Sequence, residues 1–384
     1  MKKLIISVLL ISVLFLSGCS PLNSSPRTND KVLPPQIKNI DVIQRKIAGM
    51  SLDEKIGQLL IVGFDGHTMN DNINNLITED KVGGVILFKK NVENSTRLIS
   101  LINSLKTKNS QNKTPLFISI DEEGGRVSRM PNEIKKLPTN QAIGKKNDAS
   151  LSYNIGKIIG EELKSLGFNM NFAPVLDINS NINNPIIGDR SFGNNPDIVN
   201  KLGIKTMEGM LDSNIIPVVK HFPGHGDTSV DSHLRLPVVN KSLTSLNDFE
   251  LVPFKEAIKN NADAIMVSHI LLNKIDATNP ASMSKIVITD MLRENLKFPG
   301  VVITDDMTMG AIIKYNDIGE AAVKSFNAGT DIILVCHGYD NELKVINSLK
   351  IAVQNKTISE NRLNESVYRI LKLKNKYRLN NNTI

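Results

Sequence analysis

Fourteen consecutive residues, KHFPGHGDTSVDSH at positions 220–233, concentrate the groups in this chain that could do chemistry. They include three of its six histidines and two aspartates, together with two glycines and a proline. Imidazole titrates near neutral pH and carboxylates ionise below it, so the stretch could bind a metal, hold a phosphate or transfer protons. So many titratable groups are poor material for a hydrophobic core, which indicates a functional loop.

Metal binding and phosphate binding are the weaker interpretations of this loop. His221, His225 and His233 are separated by four and eight residues, and Pro223 with Gly224 interrupts any helix that could place two of them on one face. The HExxH and CxxC spacings are absent from the sequence. The glycines lack the GK[ST] ending of a P-loop. We therefore expect neither a metal nor an organic cofactor.

Proton transfer is favoured by the last three residues of the loop. In an extended backbone, Asp231 and His233 point to the same side, because side chains alternate. A carboxylate beside an imidazole fixes its tautomer and favours its protonated form, which gives an acid that donates near neutral pH and accepts afterwards. The spacing alone leaves open a plain hydrogen bond within a loop, with no chemistry.

The elements that would position this loop are short apolar runs that alternate with helical stretches. Most of the runs are apolar throughout, as in strands buried on both faces. There are eight, at 59–64, 83–88, 116–121, 168–178, 215–221, 263–270, 300–306 and 331–337. This alternation predicts an α/β fold, a closed (β/α)8 TIM-type barrel forming a single catalytic domain. An open doubly wound sheet is the alternative, although no GxGxxG follows the first run.

The helical stretches carry start signals. Ser51 and Glu54 form a predicted capping box before the first apolar run. Ser95 is the predicted N-cap of the helix that occupies 95–108.

Polar residues end six of the eight runs, where a barrel would place its active site. Helix N-capping by loop aspartates is the alternative explanation for some of them. These residues are Asp121, Asp177, Lys220 with His221, Ser268 with His269, Asp305 with Asp306, and His337.

Four motifs together resemble glycoside hydrolase family 3, and more narrowly its β-N-acetylglucosaminidase branch. The similarity runs from about residue 51 to beyond 337, and the D-S-H ending of the loop is the mark of that branch. The motifs are DEEGGRVSR at 121–129, GDRSFG at 188–193, KHFPGHGDTSVDSH at 220–233 and VVITDDMTMGAI at 301–312.

The resemblance implies a role for each matched residue. Asp305 is the implied nucleophile, with Asp306 as the possible misassignment, and only one of these neighbours can face the sugar. His233 is the implied general acid/base and Asp231 its partner. The implied contacts to the terminal sugar come from Asp121, Arg129, Arg190, Lys220 and His221. The loop that bears His233 is bracketed by Gly224 and Gly226, which favours its movement.

The N-terminal segment predicts export. Lys2 and Lys3 precede a thirteen-residue apolar run at 4–16, shorter than the about 20 residues of a membrane span. LSGC at 16–19 resembles a bacterial lipobox, so we expect a signal peptide at 1–18, acylation of Cys19, a flexible tether at 19–39 and a catalytic domain at 40–384. An ordinary secretory signal is the alternative.

Location and resemblance together predict the substrate. A lipoprotein anchored outside the bacterial membrane would meet peptidoglycan, so we expect removal of non-reducing-end GlcNAc from GlcNAc-MurNAc or its peptide form. The alternatives are a phosphorylase of the same branch, a glucosidase or xylosidase, and a sugar-binding lipoprotein. The net charge of +7 is scattered, with no basic block, which disfavours nucleic acid as a partner. We expect a monomer.

Overall fold

The computed structural model describes residues 41–384. The predicted signal peptide, Cys19 and the tether at 19–39 lie outside the described residues, so these assignments stay predictions. None of the helices in 41–384 combines the length and the apolar character needed to cross a membrane.

Eight parallel strands close into a barrel, which confirms the predicted fold class. Each strand pairs with the next barrel strand along the chain, and the first pairs with the last to complete the ring. The barrel strands are β1 (Leu60–Val62), β2 (Gly84–Leu87), β3 (Phe117–Ile120), β4 (Met170–Asn171), β5 (Ile216–Phe222), β7 (Ala264–Val267), β9 (Val301–Asp306) and β10 (Ile332–Val335). All eight coincide with the predicted apolar runs, although the run at 168–178 contributes only a two-residue strand.

The strands close because both of their faces are apolar. Every residue of β1, β2, β3 and β10 is buried, so one face fills the barrel and the other packs under helices. Tight contacts need small residues at specific places: a Cβ on Gly84 of β2 would lie 2.7 Å from the Cβ of Phe117 on β3. The barrel is therefore a packed core, and its open space lies at one end.

Helices surround the barrel. They are α1 (Val42–Ala48), α2 (Leu52–Gln58), α3 (Asp71–Thr78), α4 (Ser95–Lys108), α5 (Asn140–Lys146), α6 (Ala149–Leu166), α7 (Pro196–Asp212), α8 (Leu243–Asp248), α9 (Val252–Lys259), α10 (Gly310–Ile313), α11 (Ile318–Ala328), α12 (Tyr339–Gln354) and α13 (Glu360–Lys376). A π-helix occupies Ile286–Asn295, and β6 (Val238–Val239) pairs with β8 (Leu271–Leu272) beside the barrel.

The predicted helix starts are right in one case and wrong in the other. The capping box before α2 is present, since Ser51 accepts from the Glu54 N–H and Glu54 accepts from the Ser51 N–H. The predicted N-cap of α4 is wrong: Asn94 caps the helix by accepting from the Arg97 N–H at 2.9 Å. Asn and Ser are comparable caps, so the choice depends on where the backbone turns.

Glu342, in the first turn of α12, provides a test of how burial couples stability to pH. It is 2% exposed, and burial raises its pKa from 4.5 to about 8, with Asp65 adding to the effect. Since the unfolded chain ionises this group freely, stability should fall as the pH rises from about 4.5 towards 8. We expect Glu342→Gln to match the wild type at pH 5 and to exceed it at pH 9 by on the order of a few kcal/mol.

Urea unfolding at pH 5 and pH 9 measures this difference. Asp340→Asn, an exposed position on the same turn, is the matched control and should give no comparable gain at pH 9. An equal effect of Glu342→Gln at both pH values would show that burial of this carboxyl does not oppose its ionisation.

Candidate active site

A cavity of about 560 Å³ opens at the carboxyl ends of the barrel strands. The polar residues that follow the strands converge here because parallel strands deliver their carboxyl ends to one face. All eight residues predicted for catalysis or sugar binding line it: Asp121, Arg129, Arg190, Lys220, His221, Asp231, His233 and Asp305. The structure thus brings the whole predicted set together, while the role of each residue stays a prediction.

The floor of the cavity holds an ion-paired network centred on Glu123. Arg190 binds the Glu123 carboxylate through two bonds of 2.7 and 2.8 Å. Lys220 lies 2.7 Å from Glu123 and 2.8 Å from Asp121. Burial alone would raise the pKa of Glu123, but Arg190 and Lys220 outweigh it and hold the pKa below its ordinary value. These side chains form a rigid array of charged hydrogen-bonding groups suited to sugar hydroxyls.

Glu123 is a site residue that the sequence reasoning missed. It lies inside the DEEGGRVSR motif, but three consecutive acidic residues offered no means of telling which one faces inward. The sequence marks Asp177 only as a residue that ends an apolar run. In the structure it also belongs to the site, because it contacts the His221 ring.

Asp177 fixes the orientation of His221. It is fully buried, and its Oδ2 lies 2.6 Å from Nδ1 of His221. The N–H of His225 donates to the other oxygen at 2.6 Å. Burial alone would raise the pKa of Asp177, but His221 and these hydrogen bonds lower it. With Nδ1 donating to Asp177, Nε2 of His221 is free to accept, and Arg190 Nη2 lies 3.4 Å away.

The two neighbouring aspartates at the end of β9 have different surroundings. Both oxygens of Asp306 are engaged by the protein: Oδ1 accepts from the N–H groups of Thr308 and Cys336, and Oδ2 accepts from the Thr308 hydroxyl at 2.5 Å. Asp305 accepts one backbone bond, 2.9 Å from the Asp306 N–H. Asp305 is therefore the carboxylate with more capacity to accept from a ligand, and its role as nucleophile stays a prediction.

The surroundings of Asp305 keep it ionised. Burial alone would raise its pKa, but His269, His221 and the Asp306 N–H outweigh burial and lower it. His269 is itself buried, which lowers its pKa, and it lies 2.7 Å from the Ser282 hydroxyl and 2.9 Å from the Asp306 carbonyl oxygen. A carboxylate that stays charged at neutral pH is what a nucleophile requires.

At the rim of the cavity, Asp231 and His233 form a hydrogen-bonded pair. Asp231 Oδ1 lies 2.8 Å from His233 Nδ1 and also accepts from the His233 N–H at 2.8 Å. The His233 side chain is 66% exposed, whereas that of Asp231 is 29% exposed. The carboxylate thus orients the ring, and Nε2 remains open to a ligand in the cavity.

The loop that bears this pair is fixed to the elements around it. Gly310 and Ala311, at the start of α10, donate their N–H groups to the carbonyls of His233 and Ser232 at 3.2 and 3.0 Å. A Cβ on Gly310 would lie 2.4 Å from the His233 oxygen. His225 Nε2 lies 3.3 Å from the Ser232 hydroxyl. We call residues 220–233 the acid/base loop, after the role predicted for His233. This loop is therefore attached directly to the helix that follows the Asp305 strand.

The glycines of this loop have a packing explanation. A Cβ on Gly226 would lie 1.7 Å from the carbonyl oxygen of Ile178, so no other residue fits there. Gly224 has a φ of +124°, a region that disfavours side chains, and a Cβ there would meet Glu250 at 2.8 Å. These contacts give no support to the expectation that the two glycines serve loop movement.

The electrostatics of the cavity are balanced. Five arginine or lysine side chains and five aspartate or glutamate side chains line it: Arg126, Arg129, Arg190, Lys220 and Lys314 against Asp121, Glu123, Asp231, Asp305 and Asp306. Within residues 41–384, no group of three or more His, Cys, Asp or Glu side chains has an arrangement that could hold a metal ion. The balance of charge suits a polar ligand that carries little net charge.

Comparison with known proteins agrees with this geometry. The "Glycosyl hydrolase family 3 N terminal domain" model matches residues 51–373. The chain is 38% identical over 333 residues to "Beta-hexosaminidase A" of Pseudoalteromonas piscicida, covering 80% of this chain and 56% of that protein. It is 37% identical over 272 residues to a "Beta-hexosaminidase" of Neisseria meningitidis, covering 69% of this chain and 74% of that protein.

A solved structure is similar in fold as well as in sequence. It is a glycoside hydrolase family 3 β-N-acetylglucosaminidase from Paenibacillus sp. str. FPU-7, 43% identical with a TM-score of 0.84, and the match covers 86% of this chain and 63% of that one. The chain therefore spans only a little over half the length of the Pseudoalteromonas relative and under two thirds of the Paenibacillus one. The extent of the family match and these identities establish that the chain belongs to glycosyl hydrolase family 3.

Proposed function

We propose that this protein is a retaining exo-β-N-acetylglucosaminidase that removes GlcNAc from the non-reducing end of peptidoglycan fragments such as GlcNAc-MurNAc. The observation that carries the proposal is the pairing of an ionised, accessible Asp305 on the cavity floor with the Asp231–His233 pair at its rim. The printed names of the family relatives, β-hexosaminidase and β-N-acetylglucosaminidase, support the same activity.

The two groups divide the reaction into two steps. Asp305 attacks the anomeric carbon while His233 gives its proton to the leaving oxygen, so one C–O bond forms as another breaks. His233, now neutral, takes a proton from water, and the water oxygen displaces Asp305 to release GlcNAc with its configuration retained. Asp231 holds the imidazole in the tautomer that presents Nε2 to the bond.

Removal of a single terminal sugar is supported by the closed inner end of the cavity. Ile86 of β2, Met266 of β7 and Leu334 of β10 line it and are buried, so a glycan cannot thread through the barrel. The charged floor of Asp121, Glu123 and Lys220 lies at this closed end, where the hydroxyls of a terminal sugar would bind. The chain end must enter first, which defines exo action.

Water is favoured over phosphate as the second reactant. A phosphorylase must hold a phosphate dianion beside Asp305, which needs an excess of positive charge. The cavity has equal numbers of acidic and basic side chains, and both Arg190 and Lys220 are engaged by carboxylates. Hydrolysis is therefore the first candidate, and phosphorolysis is the second.

The choice of peptidoglycan depends on location. We propose that the protein is an extracytoplasmic lipoprotein of the bacterial membrane, acylated at Cys19, where cell-wall fragments are the β-linked GlcNAc substrates at hand. Mass spectrometry of the mature N-terminus would check the acylation, and an unmodified Cys19 would contradict it.

A single assay series tests the activity. The full chain should release p-nitrophenol from p-nitrophenyl β-GlcNAc and free GlcNAc from GlcNAc-MurNAc. Added phosphate should leave the product as GlcNAc, whereas a phosphorylase would form GlcNAc-1-phosphate. Binding of the sugars without turnover would indicate a sugar-binding lipoprotein and contradict the proposal.

A further inference from the structure

Resting on the proposed function, we infer that Leu234, Ile313 and Lys314 form a subsite for the leaving-group sugar, selective for a sugar that carries a carboxylate. We call these three residues the leaving-group platform.

The position of His233 defines which wall of the cavity the leaving group must touch. The general acid lies within hydrogen-bond reach of the leaving oxygen, so the sugar on the far side of that oxygen lies against the residues next to His233. Leu234 follows His233 in the chain and is 60% exposed. Ile313, at the end of α10, lines the cavity and is 47% exposed.

The platform is assembled by contacts between the acid/base loop and α10. Lys314 Nζ donates to the carbonyl oxygen of Leu234 at 2.9 Å, which holds the ammonium group beside the loop. The bonds of Gly310 and Ala311 to the same loop keep the two segments in register. Ile313 and Lys314 line the cavity, and Leu234 is exposed next to His233 in the chain, so apolar groups and one cation lie together. This arrangement suits the apolar face and the charged substituent of one sugar ring.

Lys314 is distinguished from most other cations of the cavity by its lack of an acidic partner. Arg126, Arg190 and Lys220 are ion-paired with Asp189, Glu123 and Asp121. Lys314 takes part in none of the ion pairs found within residues 41–384, and its side chain is exposed. Arg129 also forms none of these pairs, but it belongs to the loop that carries Asp121 and Glu123.

The charge of Lys314 gives the platform its chemical preference. An ammonium group with donors to spare forms a charge-assisted hydrogen bond with a carboxylate, and a hydroxyl in the same place gains less. Among β-GlcNAc disaccharides, the platform therefore favours a leaving sugar with a carboxylate-bearing ether, as in MurNAc, over a neutral one.

The experiment compares three substrates that need the same acid assistance. They are GlcNAc-MurNAc, the same disaccharide with its carboxylate reduced to an alcohol, and methyl β-GlcNAc, which has no leaving sugar. In Lys314→Met, the ratio of kcat/KM for the acidic disaccharide to that for the reduced one should fall about tenfold, because a charge-assisted hydrogen bond to the carboxylate is lost. Lys324→Met, which removes an exposed charge from α11, is the control and should retain the ratio.

The apolar part of the platform has its own readout. Ile313→Ala should lower kcat/KM several-fold for both disaccharides relative to methyl β-GlcNAc, because less apolar surface covers the leaving sugar. The inference would be overturned if Lys314→Met left the ratio of kcat/KM for the acidic over the reduced disaccharide unchanged. It would also be overturned if the only effect of Lys314→Met were to abolish a stimulation of turnover by added phosphate. If the wild type cleaved none of the three substrates, the result would instead contradict the proposed function.

Discussion

Replacing Asp305 by alanine is expected to reduce kcat/KM for p-nitrophenyl β-GlcNAc by about 10³-fold or more, with substrate binding retained. Without a nucleophile no glycosyl-enzyme forms, and several kcal/mol of transition-state stabilisation are lost at about 1.36 kcal/mol per factor of ten. The ion-paired network of Glu123, Arg190 and Lys220, proposed to bind the sugar, makes no hydrogen bond or ion pair with Asp305 within the described residues, so it should persist in the variant.

The decisive measurement locates the covalent bond. A 5-fluoro derivative of the GlcNAc substrate should accumulate as a glycosyl-enzyme, and peptide mapping should place the label on Asp305. Asp306 is the internal control, because its two oxygens are engaged by Thr308 and Cys336. A label on Asp306, or full activity of Asp305→Ala, would overturn the assignment.

Replacing His233 by alanine is expected to have an effect that depends on the leaving group. Acid assistance matters most for a poor leaving group, so the loss for GlcNAc-MurNAc should exceed the loss for p-nitrophenyl β-GlcNAc by about 10²–10⁴-fold. His225 cannot substitute as the acid, because burial lowers its pKa to about 4 and it is neutral at physiological pH. Asp231→Ala should show the same pattern more weakly, because the ring survives and loses its orientation.

Azide distinguishes the acid/base role from a structural role. In His233→Ala with the activated substrate, hydrolysis of the glycosyl-enzyme becomes limiting, and azide attacks without needing a base. Added azide should therefore speed turnover and yield glycosyl azide with retained configuration. Equal losses with both substrates and no response to azide would make His233 a binding or structural residue.

Much of the fold could be predicted because its signals are local. Each barrel strand is a short apolar run bounded by polar residues, and burial on both faces leaves the same mark in every run. The family followed from motifs that lie at strand ends, and the comparisons confirm it. The predicted N-cap of α4 was wrong because Asn94 and Ser95 are adjacent and both residue types are suited to this position.

The parts of the site that could not be predicted depend on contacts between distant segments. Glu123 meets Arg190 and Lys220 across intervals of 67 and 97 residues, so no local pattern reveals it as the shared counterion. The sequence suggests that Gly226 allows loop movement, whereas the structure shows that it packs against the Ile178 backbone. The resemblance already implies Asp305, but the hydrogen bonds that Asp306 accepts from the Thr308 and Cys336 N–H groups could not be predicted from the sequence.

The attachment of the acid/base loop to α10 has a consequence for divergence within the family. Gly310 and Ala311 hold the carbonyls of His233 and Ser232 through main-chain N–H groups, which every residue except proline possesses. The exposed positions that follow, 313–315, can therefore exchange side chains without breaking these two bonds. Under the proposed mechanism, the leaving-group preference can change there while the hydrogen bonds that hold His233 are kept.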